Sequence, residues 1–133
     1  MKKLQTMQNK LLKVLLNKDY RYGTNQLHEE LNILNVNDIY KHSTLSFVYK
    51  CLNNETLPQF TQYFNYRENI HTHSTRNRQH LTTTQIRTEV GRSLTYYAGA
   101  VMWNSIDPLL KSSKSINIFK RETFKLFVSS YIT

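Results

Sequence analysis

A chain of 133 residues is long enough for one modest hydrophobic core and too short to be expected to hold two. With 39% hydrophobic residues, nine Tyr, six Phe and one Trp it is not compositionally disordered, and its single cysteine, Cys51, excludes an internal disulfide framework or a cysteine-based zinc finger. A formal charge of +9, from 18 Lys and Arg against 9 Asp and Glu, favours a polyanionic partner, either nucleic acid or an anionic membrane surface.

The start, MKKLQTMQNKLLKVLL, is not read as a signal peptide, because Gln5, Gln8, Asn9, Lys10 and Lys13 interrupt its apolar region and no small-residue cleavage site follows. No run approaches the roughly eighteen apolar residues that span a bilayer, so a soluble chain with no membrane partner is expected. Leu4 to Leu16 reads instead as an amphipathic helix. At about 100° per residue its leucines, Met7 and Val14 fall on one broad arc, and Lys2, Lys3, Lys10 and Lys13 on the other. After the break at residues 17–23, Thr24 or Asn25 can cap a second helix carrying Leu27, Leu31 and Leu34.

Asn37 and Asp38 open a third helix, whose stripe of Ile39, Tyr40, Phe47, Val48, Cys51 and Leu52 ends at Asn53 and Asn54. Pro58 suits the first turn of a short helix that carries Phe60, Tyr63 and Phe64 on one face. From about Asn65 to Tyr97 helical periodicity disappears, and seven threonines fall between Thr72 and Thr95. TTTQIRTEV and RSLTYY, divided at Gly91, are read there as a short β-hairpin or an extended arm. Helical signals return in AGAVMWNSI, in the cap and first-turn pair Asp107 and Pro108, and in a final helix from Ile116 to about Tyr131. The expected fold is therefore mainly α: a single small helical domain, with a helical part at 1–64, a polar arm at 65–97 and a helical C-terminal part at 98–133.

NIHTHSTRNRQH, residues 69–80, raises a metal site as one use of its histidines. Two histidines one residue apart share a strand face, yet no helical H-x-x-x-H, C-x-x-C or acidic ligand cluster accompanies them, so no metal and no cofactor are expected. Scattered carboxylates, three glycines and the lack of a nucleophile motif leave no catalytic constellation, and this chain alone is not expected to be an enzyme. The cations carry more information. Between Lys50 and Lys111 there is no lysine, only Arg67, Arg76, Arg78, Arg87 and Arg92. Arginine forks to phosphate and stacks on bases, and Tyr96 and Tyr97 add faces on which exposed bases stack. These residues, with Lys10 and Lys13 of the first helix, are the candidate nucleic-acid contacts. The competing reading is a solvated polar arm whose tyrosines pack on the core. Trp103, among Val101, Met102 and Ile106, reads as a core anchor, and Asn104 as a cap or staple for the neighbouring turn.

Taken in order, LQTMQNKLLKVLLN, then LNILNVNDIYKHSTLSFVYKCLNNETLP, HTHSTRNR and YYAGAVMWNSIDPLLKSSKSINIFKRETFKLFV resemble the region that follows the reverse transcriptase domain in the polyproteins of jockey-like non-LTR retrotransposons. The matching residues are Ile33 to Tyr40, Tyr49 and Lys50, Leu57 and Pro58, Thr75 and Arg76, Gly99 to Ile106, and Phe119 and Lys120. The resemblance implies a piece of an RNA-directed DNA polymerase polyprotein, beside an upstream reverse transcriptase domain. It also implies binding of template RNA or target DNA, or a structural module that packs against the polymerase thumb. It implies an intracellular setting, in the nucleus or a cytoplasmic ribonucleoprotein. The palm aspartates are absent, so polymerase activity is carried by no residue here, and the Cys/His knuckle of some related elements is missing. Ile106 and Asp107 stand where the family tends to have Leu and Pro, a change that bears on a turn more than on a site.

Overall fold

The computed structural model describes residues 1–70 and 77–132, and the regular structure among them is helical. In chain order the helices are α1 (Lys2–Leu15), α2 (Thr24–Glu30), α3 (Val36–Leu52), α4 (Pro58–Thr61), α5 (Glu89–Ser93), α6 (Thr95–Ser105), α7 (Pro108–Lys111) and α8 (Ile116–Ser129), with one 3-10 turn at Arg67–Asn69. The protein is mainly α, as the sequence predicts.

Asparagine ends the first three helices in the same way. Asn17, Asn32 and Asn54 take positive φ of 50°, 51° and 57°, the left-handed conformation that asparagine tolerates better than most residues. In each case the next residue's N–H reaches back to a last-turn carbonyl: Lys18 to Lys13 at 2.9 Å, Ile33 to His28 at 3.0 Å and Glu55 to Lys50 at 2.8 Å. Starts are set by side chains at two of the shorter helices. Thr88 Oγ1 accepts from the Gly91 N–H at 3.1 Å to cap α5, and Asp107 Oδ1 accepts from the Leu109 N–H at 2.7 Å to cap α7 ahead of Pro108.

The expected β-hairpin does not form: no strand occurs among the described residues. Thr88 opens a helix in place of a strand, Gly91 lies inside that helix, and RSLTYY is divided between α5 and α6. Residues 82–87 carry no regular element. Strand preference of β-branched residues is a statement about packing, and here packing favours helix. Gly99 and Ala100 of α6 are buried, and a Cβ placed on Gly99 would lie 2.8 Å from Val48 Cγ2, so the Val48 side chain of α3 occupies the space beside Gly99.

The chain divides into two compact units, Met1–His42 with Asn117–Thr133, and Ser43–Ile116. In the first, Leu12, Leu27, Leu34, Phe119 and Tyr131 are buried around the polar groups His28, Asp38 and Thr123. Its α1 is turned in an unexpected sense. Of its apolar arc only Leu12 is buried, and Leu4, Met7, Leu11, Val14 and Leu15 are left outside. In the second unit Leu45, Val48, Tyr49, Cys51, Phe64, Leu81, Ala100 and Trp103 form the core. Trp103 is 2% exposed, the core anchor its apolar neighbours predict.

Candidate nucleic-acid interface

The polar segment of the Ser43–Ile116 unit is held as a closed loop. The Thr82 N–H donates to the Asn65 carbonyl at 2.8 Å, Arg67 N–H to the His80 carbonyl at 2.9 Å, and Glu68 N–H to the Arg78 carbonyl at 3.0 Å. Tyr66 and Leu81 make a single antiparallel bridge between the two runs. Leu81 is fully buried, and the Asn104 amide grips its backbone from α6: Asn104 Oδ1 accepts from the Leu81 N–H at 2.7 Å, and Nδ2 donates to the Leu81 carbonyl at 3.0 Å. Asn104 thus staples a segment 23 residues away, farther than the neighbouring turn that sequence suggests. Burial pushes the Tyr66 hydroxyl up from its ordinary pKa, and the neighbouring Trp103 indole partly opposes the shift.

These bonds place Arg67 and Arg78 on adjacent backbone runs. Arg78 Nε lies 3.9 Å from Glu68 Oε2, with both side chains about half exposed, a weak and salt-sensitive pair. Arg67 is half-buried, and no hydrogen bond or ion pair holds its guanidinium among the described residues. Arg76, together with His71 and His73, lies outside the described residues. Among the described residues no group of three or more His, Cys, Asp or Glu side chains gathers in a way that could hold a metal ion.

A second arginine pair follows. Arg92 of α5 donates its Nε hydrogen to the Ile86 carbonyl at 2.9 Å, so it clips the segment that carries Arg87. Arg87 itself is exposed and has no side-chain partner among the described residues. Arg92 therefore has a structural task, whereas Arg87 is fully available to solvent anions.

Tyr96 and Tyr97 are both on α6 but differ in surroundings. Tyr96 is exposed and pairs with Tyr63, ring centroids 6.5 Å apart and planes 23° from parallel. Together with Phe47, Phe60, Phe64, Leu94 and Thr95 they line a cleft of about 520 Å³. Phe60 meets Tyr63 at 6.0 Å and Phe47 at 5.6 Å, so the lining is a connected set of aromatic rings. Tyr97 is half-buried and does not line this cleft. The reading by sequence placed Phe60, Tyr63 and Phe64 on one helix face and gave them no part in a site. Their spacing after Pro58 was the available signal, but α4 stops at Thr61 and it is the turn beyond it that swings Tyr63 toward Tyr96.

Lys10 and Lys13 belong to the other unit. Lys13 Nζ donates to the Tyr20 carbonyl at 2.6 Å and lies 5.6 Å from the centre of the Tyr20 ring, so it braces the turn after α1. Lys10 is exposed with no side-chain partner among the described residues. Among the described residues no helix is long and apolar enough to cross a membrane.

No family model, no curated protein and no solved structure matches the chain.

Proposed function

We propose that the chain is a non-catalytic nucleic-acid-binding module of a non-LTR retrotransposon reverse transcriptase, contacting template RNA or target DNA through its Ser43–Ile116 unit. The observation that carries this reading is the coexistence, on one unit, of cations that are all arginine from Arg67 to Arg92 and an open aromatic cleft lined by Tyr63 and Tyr96. Arginine supplies phosphate contacts that fix position, and ring faces supply stacking for unpaired bases, which together are the ordinary means of holding a single strand. The order of motifs shared with jockey-like polyproteins supports the retroelement setting and the upstream polymerase partner. The chain acts without catalysis, metal or cofactor of its own.

A salt titration of binding to labelled single-stranded RNA and to duplex DNA tests the reading. If the five arginines touch single-strand phosphates, log affinity falls with log salt at a slope of about −3.5, from roughly 0.7 per contact. Replacing Arg78 and Arg87 with Gln flattens the slope by about 1.4, while Tyr63→Ala and Tyr96→Ala weaken binding to the single strand and leave the slope in place. A slope unchanged by the arginine substitutions removes these residues from the interface.

The second reading is a structural module that packs against the polymerase thumb and touches no nucleic acid. Its support is that Arg78 and Arg92 are already engaged within their unit. Under this reading both titrations show no salt-sensitive binding.

A further inference from the structure

Helix α1 is packed by its polar side. Gln5 Oε1 accepts from the Val36 N–H at 2.8 Å, Gln8 Nε2 donates to the Leu34 carbonyl at 2.9 Å, and Asn9 Oδ1 lies 2.9 Å from His28 Nε2. These amides, with Leu12, fasten the helix to α2 and to the turn before α3. The cost of that arrangement is the opposite face: Leu4, Met7, Leu11, Val14 and Leu15 stand from 59% to 78% exposed on a single helix. Their spacing of three, four and three, with Leu15 beside Val14, is the a and d register of a heptad. Contiguous exposed apolar stripes of this kind mark interaction surfaces, and this one has the width of a helix seam.

Charge selects the occupant. Residues 1–18 contain five lysines and no acid, and Lys3 and Lys10 fall at the g positions along one edge of the stripe. A second copy of α1 packed antiparallel would set Lys3 and Lys10 against their own counterparts, with no carboxylate in either helix to relieve them. A bilayer is a poorer fit, because the stripe lacks the Trp or Phe that insert at a membrane surface. We infer that the outer face of α1 docks an acidic amphipathic helix of another protein segment, with apolar residues in heptad register and Glu or Asp along the edge that meets Lys3 and Lys10. The inference is independent of the nucleic-acid reading, since α1 and the arginine-bearing loop belong to different units.

The test uses the full chain and two synthetic peptides of about three heptads, each with Leu at a and d, one with Glu and the other with Lys at e and g. Titration by fluorescence anisotropy is expected to show the Glu peptide binding at least tenfold more tightly than the Lys peptide. Leu4→Ser with Leu11→Ser abolishes that binding. Both residues are exposed, so unchanged circular dichroism shows that the loss is not unfolding. Lys3→Glu with Lys10→Glu reverses the preference toward the Lys peptide. Equal binding of both peptides, or no binding of either, overturns the inference. So does sedimentation of the chain as a dimer through this face, or retention on phosphatidylserine vesicles in place of peptide binding.

Discussion

The Tyr131 hydroxyl donates to Asp38 Oδ2 at 2.7 Å, joining the last turn of the chain to the first turn of α3. The same oxygen accepts from the Asn35 N–H at 3.1 Å, and Asp38 Oδ2 is met again by Asn35 Nδ2 at 2.7 Å. Residues 35–38 thus obtain both a donor and an acceptor from one tyrosine in a buried setting. Tyr131→Phe leaves the Asn35 N–H without its acceptor and is expected to cost about 1–2 kcal/mol, measured by urea denaturation. Burial first, then the neighbouring Asp38 carboxylate, pushes the Tyr131 hydroxyl up to about 12, with the Asn35 N–H opposing. An unfolded tyrosine ionises near 10, so the folded chain holds this proton where the unfolded chain has lost it. The contribution is therefore complete below pH 10 and declines as pH rises from 10 to 12. In Tyr131→Phe that part of the alkaline decline is absent.

His28 makes the same unit sensitive to acid. Its ring is 2% exposed, with Nε2 2.9 Å from Asn9 Oδ1 and Nδ1 3.3 Å from the Ile33 carbonyl. Burial lowers its pKa, and the Ile33 carbonyl and Asp38 only partly oppose the shift. An imidazole whose folded pKa lies below its unfolded value of about 6.5 stabilises the fold above that value and ceases to as pH falls through the folded pKa. Thermal melting followed downward from pH 7 is expected to show a declining midpoint, and His28→Gln to flatten that decline. A midpoint that rises on acidification would mean that protonated His28 is the form the fold prefers.

These two clusters show where sequence informs and where it does not. The helices α3 and α8 were legible because their apolar period and, for α3, the asparagines Asn53 and Asn54 after its last turn are local signals. Residues 82–97 were not, because threonine and valine indicate a half-buried strand only when another strand is there to pair, and Gly99 and Ala100 bring α6 onto α3 instead. The leucines of α1 were recognised as one arc, but which side of an amphipathic helix is buried depends on partners 26 and 31 residues away, Leu34 and Val36. At the candidate interface Tyr96 and Arg87 stand exposed, as their proposed role requires. Tyr63 was missed, since its approach to Tyr96 depends on tertiary packing.

Gly99 marks a close approach of α6 to the Val48 side chain of α3. An added Cβ would lie 2.8 Å from Val48 Cγ2 and 3.4 Å from the Phe64 ring. Alanine favours an isolated helix over glycine by about 1 kcal/mol, but Val48 is β-branched and fully buried, so its methyl has little room to give. Overpacking of this kind costs about 1–3 kcal/mol, and Gly99→Ala is expected to be net destabilising by about 1 kcal/mol. A double-mutant cycle with Val48→Ala checks the cause. Removing the Val48 methyls is expected to be less costly in the Gly99→Ala background than in the native one, whereas strict additivity would locate the effect elsewhere.

Asn104 offers a way to disturb the arginine loop without touching a charge. Its amide is the partner of both backbone groups of Leu81, at 2.7 Å and 3.0 Å, and Leu81 anchors the run that carries Arg78 and His80. Asn104→Ala leaves a buried N–H and a buried carbonyl unmet and is expected to cost about 1–3 kcal/mol. The same substitution loosens the backbone that sets Arg78 beside Arg67. If that placement matters for phosphate contact, Asn104→Ala weakens binding to single-stranded RNA and flattens the salt slope, although all eighteen cations remain. The comparison to make is with Gly99→Ala, which lowers stability in the same unit without cutting the Leu81 staple. Binding at a temperature where both variants are fully folded separates the two effects. An identical slope in Asn104→Ala and the native chain would show that the arginines act as independent surface charges, with no need for the loop to be held closed.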